Sequence, residues 1–280
     1  MNSTSFASGV MTWRKLRHME RTRRCANAGG PGRGTYSDAV CTVILAWQVF
    51  PDAPVILAAN RDELIARPTD PPMLLVEDPP RWGGRDRLAG GTWLAVDPSG
   101  RVGAVTNRHP GGRPPPRAAE RRSRGSLPLD VLDGDDDAAR NWMETLRTQD
   151  YNPVNVLYAS ATSAYCTSMD DDIGRRTSRL DAGIHVVTEQ DIDDPADAKT
   201  ESLRRRASDA LRTETRPDVA IARLRELLQT HEAGYDGSPA CIHGEVYGTV
   251  SSATVIAGGG GVRYEHAEGR PCVTPFQLVV

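Results

Sequence analysis

A cysteine, Cys41, and about twenty residues later the run Asn60-Arg61-Asp62-Glu63 are the parts of this chain best suited to chemistry. A thiol with an ordinary pKa near 8.5 becomes nucleophilic when a cation draws it toward the thiolate, and Arg61 is a cation of that kind. Asp62 could then orient the thiol or the base that deprotonates it. A bland reading stands beside this one. A lone cysteine often serves as a small hydrophobe opening a buried strand, and four polar residues at a strand end can be a solvated turn.

The elements around these residues decide whether they meet. Cys41 to Val49 alternates, with Cys41, Val43, Leu45, Trp47 and Val49 on one face and Thr42, Ile44, Ala46 and Gln48 on the other. Val55 to Asn60 is a second apolar, β-forming arm. Pro51-Asp52-Ala53-Pro54 between them reads as a turn. A symmetric turn with Phe50 opposite Val55 sets Leu45 against Asn60 and Val43 against Asp62. Asn60 and Asp62 then share the face of Cys41, with Asp62 diagonal to it at roughly 7–8 Å. A one-residue slip brings Arg61 to that face instead.

Further residues could join this site. Arg81 to Gly91 is rich in Gly and charge and is expected close to it, with Arg85 and Asp86 as supporting residues. Asn107 ends a strand, where it either donates to an oxyanion or serves as a turn residue. Trp47, Trp82 and Trp93 suit an apolar pocket or the core. Gly111 to Arg122 reads as a basic, Pro-rich surface loop able to gate the site. His185 is read as packed or loop-facing. Cys241-Ile242-His243 offers two ligands but, with no second pair in sequence, is read as structural, and no metal site is expected.

The residues Asn60-Arg61-Asp62-Glu63, Gly83-Gly84-Arg85-Asp86, Gly90-Gly91-Thr92-Trp93-Leu94, Thr106-Asn107-Arg108, Ser123-Arg124-Gly125 and Gly248 to Val255 occur in order behind Cys41. They resemble the NRDE family, which includes the transport and Golgi organisation proteins, over about residues 41 to 280. That family is similar to the N-terminal-nucleophile Cys hydrolases of the penicillin V acylase and bile-salt hydrolase type. The resemblance implies a four-layer αββα sandwich and a nucleophilic Cys41 whose own α-amine is the base. It also allows a second function, since eukaryotic relatives are linked to haem and lipid handling.

Composition bounds the rest. The chain has 280 residues, with five scattered cysteines at 25, 41, 166, 241 and 272 and no Cys-x-x-Cys pair, which argues for a reducing, cytoplasmic setting. No apolar run is long enough to span a membrane. Residues 1–40 carry a net charge of +5, leaving −8 for residues 41–280 out of the chain's −3. This Gly- and Arg-rich stretch is expected to be a disordered tail outside the native protein. Three accounts compete for it: a transit peptide, a nucleic-acid-binding arm, or an untranslated stretch upstream of a start at Val40. The acidic body disfavours nucleic acid, and the third account yields a 240-residue protein beginning at Cys41.

Beyond the hairpin, strands are expected at 73–77, 92–96, 101–106, 154–159, 163–168, 183–187, 247–257 and 262–267. Helices are expected at 126–132, 136–147, 197–211 and 217–232. The order fits an α+β protein with two antiparallel sheets and helices outside them, compatible with the αββα sandwich. The combined expectation is a Cys-dependent amidohydrolase acting on a small amide through a thioester, with no metal or redox cofactor. Cys41 is its nucleophile, Arg61 tunes the thiol, Asp62 orients the thiol or amine, and Asn107 is the oxyanion donor. Asn60, Glu63, Arg85, Asp86 and Trp93 support them. The rival is a non-catalytic carrier of haem, lipid or another small molecule on the same fold.

Overall fold

The computed structural model describes residues 41–109, 118–231 and 239–280. The expectation for the tail, and for most of the basic loop at 111–122, lies outside the described residues. The first sheet holds β1 (Thr42–Phe50), β2 (Ala53–Leu64), β10 (Gly183–Val187), β11 (Tyr247–Gly258), β12 (Gly261–Ala267) and β13 (Gln277–Leu278). Its order is β10-β1-β2-β11-β12-β13. The second sheet runs in sequence order: β3 (Thr69–Glu77), β4 (Pro80–Asp86), β5 (Leu94–Val96), β6 (Val102–Asn107), β7 (Val154–Ala159), β8 (Ala164–Asp170) and β9 (Gly174–Arg179). All pairings between these strands are antiparallel.

Among the described residues four α-helices complete the layers: α1 (Leu127–Asp130), α2 (Asp136–Thr145), α3 (Ala198–Leu211) and α4 (Pro217–Leu228). Their starts carry the expected signals. Asp135 and Asp197 cap α2 and α3 by accepting from Ala138 N and Thr200 N, both at 2.9 Å, and Pro217 opens α4.

Alternation gives the central strands two buried faces. Val43, Leu45, Trp47, Leu57 and Ala59 of the first sheet meet Leu94, Val96, Val102, Ala104 and Leu157 of the second. On the other side of the first sheet, Ile44, Ala46, Ile56 and Ala58 pack against Leu203, Leu211, Ile221 and Leu224 of α3 and α4. On the far side of the second sheet, Ala95, Val154, Val156 and Tyr158 pack against Leu127, Leu129 and Met143 of α1 and α2. The result is the αββα sandwich. Among the described residues no helix is long and apolar enough to cross a membrane.

The β1–β2 hairpin departs from the symmetric register. Phe50 faces Ala53 and Trp47 faces Val55, with an irregularity between them where Gln48 takes φ 52°. Asn60 consequently faces Thr42, not Leu45. The displacement is odd in residue count, so it exchanges the faces: Arg61 belongs with Val43 and Ala59 between the sheets, and Asn60 and Asp62 turn toward the helices. Asn60 to Glu63 is also not a turn. β2 runs on to Leu64 and pairs with β11 through this whole stretch.

Candidate functional site

Cys41 stands one residue before β1 and is half-buried. Its thiol donates to the backbone carbonyl of Asp62 at 3.6 Å. The Tyr247 hydroxyl donates to the same carbonyl at 2.7 Å. Burial, reinforced by the negative charge of Asp62, pushes the Cys41 thiol up to about 12. Arg61 pulls it down, in the expected direction, but burial outweighs that pull. A thiol so placed stays protonated until a base removes its proton.

Arg61 is buried in the inter-sheet layer, its guanidinium 4.6 Å from the centre of the Trp93 ring and 3.8 Å from Glu63 Oε2. A desolvated cation–π contact of this kind is worth about 2 kcal/mol. Gly84 makes it possible, because a Cβ there would lie 2.0 Å from Trp93 Cη2. Glu63 continues the chain of charge: it lies 3.5 Å from Arg67 Nε, and Arg67 Nη2 binds Asp86 Oδ2 at 2.5 Å. Asp86 also accepts from the backbone of Leu88 and Ala89, at 2.8 and 3.1 Å, and so shapes the turn after β4.

Asp62 is buried on the helix side. Its Oδ1 accepts from Thr249 Oγ1 at 2.5 Å, and its Oδ2 has no hydrogen-bond partner among the described residues. Burial raises its pKa from 3.8 to about 6, opposed by Lys199, the Thr249 hydrogen bond and Arg61. The folded state therefore holds this proton more tightly than the unfolded chain. Asp62's contribution to stability is most favourable below about pH 4, declines as pH rises toward 6, and is a full penalty above that, about 3 kcal/mol. The difference in urea-unfolding free energy between wild type and Asp62→Asn should swing by about that amount between pH 4 and 7, with the wild type relatively weaker at pH 7. A flat difference would mean that Asp62 ionises like a free carboxylate.

The remaining expected residues divide. Asn60 is held by structure: Nδ2 donates to Leu228 O at 2.9 Å and to Ala240 O at 2.7 Å, and Oδ1 accepts from Ser252 Oγ. Arg85 pairs across strands with Asp70, on the side of β4 from which Arg81 reaches the α1 carbonyl of Leu129 at 2.7 Å. That is the outer face, away from Arg61. Asn107 faces Val154, and both share the outer face with Val105 under the helices. The role of oxyanion donor to Cys41 does not fit that register. The other tryptophans are structural partners of the core, Trp47 donating to Ser160 O at 2.8 Å. His185 is tied to Asp193 Oδ2 at 2.6 Å and Asp181 O at 2.8 Å.

Tyr247, Thr249, Arg67 and Lys199 are the members that sequence reading did not single out. Thr249 sits inside the motif from Gly248 to Val255 and Tyr247 just before it, so the motif was the available signal. Lys199 is one of only two lysines in the chain, and its burial on α3 beside a carboxylate has no local signature.

Comparison with known proteins places the fold and the family. A profile of the family described as Transport and Golgi organisation 2 matches residues 40–264. The mouse Transport and Golgi organization 2 homolog is 31% identical over 122 residues, which is 39% of this chain and 40% of that protein. The match thus spans about two-fifths of the curated relative's length. Among solved structures, a Caenorhabditis elegans ortholog of N-acylethanolamine-hydrolyzing acid amidase has a TM-score of 0.51 at 16% identity, covering 77% of this chain and 92% of that one. A mutant of the conjugated bile acid hydrolase from Clostridium perfringens has a TM-score of 0.47 at 8% identity, with coverage of 86% and 96%. The αββα architecture is therefore shared with an amidase. With four-fifths of its length matched by the profile, from the residue before Cys41 to the middle of β12, the chain belongs to the Transport and Golgi organisation 2 family.

Proposed function

We propose that the protein is a Cys-dependent N-terminal-nucleophile amidohydrolase acting on a small amide, with Cys41 as nucleophile. The observation that carries this reading is the seat of Cys41. It opens the central hairpin half-exposed, with its thiol on the Asp62 carbonyl and the Arg61–Trp93 stack beside it on the same inter-sheet face. The fold shared with an amidase supports it.

The chemistry follows from that seat. The α-amine of a terminal Cys41 takes the thiol proton, directly or through one water, and Sγ forms a bond to the substrate carbonyl carbon. The resulting tetrahedral oxyanion collapses as the C–N bond breaks, and the proton passes from the α-ammonium to the leaving amine. Water, deprotonated by the same amine, then cleaves the thioester and returns the thiol. Arg61 supplies fixed positive charge next to the developing thiolate. Asp62, through its carbonyl, orients Sγ, as Tyr247 fixes that carbonyl from the other side. The reaction requires a reducing compartment to keep the thiol free.

The test is turnover of a panel of small amides by residues 41–280, with mass spectrometry of the quenched reaction. An acyl adduct on Cys41 that vanishes on hydrolysis, and its loss in Cys41→Ala, is the expected result. Haem or lipid binding without acylation of Cys41 would make the protein a carrier and end the hydrolase reading.

A further inference from the structure

A second cluster lies behind the hairpin, on the helix side of the first sheet. His231 follows α4, Cys241 and His243 lie on the approach to β11, and Cys272 lies between β12 and β13. One ligand atom from each, two imidazole nitrogens and two sulfurs, all lie within 4.8 Å of one another. We propose that these four residues form a Cys2His2 site for one zinc ion, which clips the end of α4, the approach to β11 and the segment after β12 together.

The two sulfurs already stand at the spacing of a coordination sphere, and the other ligand atoms need shifts of up to about 1 Å to close on one ion. Zinc bonds of about 2.3 Å to sulfur and 2.0–2.1 Å to nitrogen, arranged tetrahedrally, set two sulfurs about 3.8 Å apart and a sulfur and a nitrogen about 3.6 Å apart. Cys241 Sγ and Cys272 Sγ are 3.7 Å apart, and His243 Nε2 is 3.2 Å from Cys272 Sγ. The rings of His231 and His243 meet at 4.4 Å between centroids. Two thiolates with two imidazoles select zinc over the oxygen-loving ions, and four protein ligands close the sphere, as in structural sites.

The backbone around the ligands is already braced. Thr230 O accepts from Ala240 N at 3.1 Å and Cys241 N at 2.9 Å, which ties the neighbour of His231 to Cys241. Thr249 Oγ1 accepts from Ile242 N at 2.9 Å, between the two ligands Cys241 and His243. Arg270 Nη2 donates to Gly244 O at 3.1 Å and so holds the approach to Cys272. Thr249 Oγ1 also donates to Asp62, and Asn60 grips Ala240 O, so the cluster and the hairpin share a frame. Sequence spacing concealed it. The partners of Cys241 and His243 come from ten residues upstream of one and twenty-nine downstream of the other, singly, with no Cys-x-x-Cys pair. The proposal departs from the expectation that no metal site exists.

The test uses the full chain, reduced, stripped with a chelator and titrated with Zn2+ or with Co2+ as a spectroscopic probe. One ion per chain is expected. The Co2+ form should show thiolate charge-transfer absorption and intense tetrahedral d–d bands that Zn2+ abolishes. Cys272→Ser and His243→Asn, at half-buried and exposed positions, should each weaken binding by at least about tenfold, with folding checked by far-UV circular dichroism. Cys272→Ser should also remove about half of the charge-transfer intensity, since one of two thiolates is lost. Cys166→Ser, a core thiol elsewhere, should change neither property. Sub-stoichiometric metal in the reduced protein, a six-coordinate Co2+ spectrum without thiolate absorption, or binding indifferent to Cys272→Ser and His243→Asn would each overturn the proposal.

Discussion

The protein that begins at Cys41 is expected to turn over its amide substrate about 10²–10⁴-fold faster than the same protein carrying even one residue ahead of Cys41. The reason is the thiol's pKa. With burial pushing it well above the ordinary thiol range, the thiol stays protonated at neutral pH. Arg61 does not overcome that. A free α-amine on the same residue is a base within reach of Sγ, and once protonated it is a cation that favours the thiolate. A Cys inside a peptide bond has neither. The comparison needs two preparations, residues 41–280 with a free Cys41 amine and the same protein with one extra residue in front. Intact mass and single-turnover acylation are read on both. Iodoacetamide at limiting concentration gives an independent reading, because Cys166 and Cys241 are buried and Cys272 is half-buried. Cys41 should be labelled first only when its amine is free. Equal acylation of the two preparations would remove the α-amine from the mechanism and leave another base to be found.

Much of the architecture could be read from the chain because long apolar stretches with caps and turn residues are local signals. The alternation in β1, the Asp caps of α2 and α3 and the Pro opening α4 are of this kind. The places where reading failed share a cause in tertiary structure. The hairpin register turned on one left-handed residue, Gln48, which nothing in a Gln-Val-Phe-Pro sequence announces. β4 is absent from the expected strands because Gly83 and Gly84 lack side chains, and the reason they must is supplied from elsewhere. Leu94 O and the Trp93 ring occupy the space a Cβ would need. β9, Gly-Arg-Arg-Thr-Ser-Arg, has no apolar face because it is the edge strand of its sheet.

The faces of the site residues were the hardest to read, and for a general reason. In a sandwich covered by helices both faces of a strand are buried, so hydrophobic alternation does not mark which one looks into the inter-sheet layer. Val102, Ala104 and Thr106 look as apolar as Gly103 and Val105, yet only the first set points toward the first sheet. Asn107 follows the second set. Arg85 fails for the same reason, one residue from Gly84, whose face carries the Trp93 stack.

Within the Asn-Arg-Asp-Glu run, Asn60 is the residue whose side chain is wholly taken up by the fold. Asn60→Ala is expected to cost about 3–5 kcal/mol of stability, the largest loss from any single change in the run. The carboxamide is 2% exposed and ties three pieces together: Leu228 at the end of α4, Ala240 before Cys241, and Ser252 on β11. Removing it leaves two carbonyls and a hydroxyl buried without their partner, and a buried group so orphaned costs about 1–3 kcal/mol. Asn60→Asp keeps the shape but fails similarly, since a carboxylate cannot donate to the two carbonyls. For a domain of this size the loss corresponds to a fall in Tm of roughly 6–20 °C. Arg61→Met should behave differently, losing its contact with Trp93 and slowing acylation of Cys41 while leaving the α4 end in place. Thermal unfolding and single-turnover acylation, measured on both variants at a temperature where each is folded, separate the roles. If Asn60→Ala kept the wild-type Tm but lost turnover, Asn60 would be a substrate ligand, and the buried carbonyls of Leu228 and Ala240 would have found other donors.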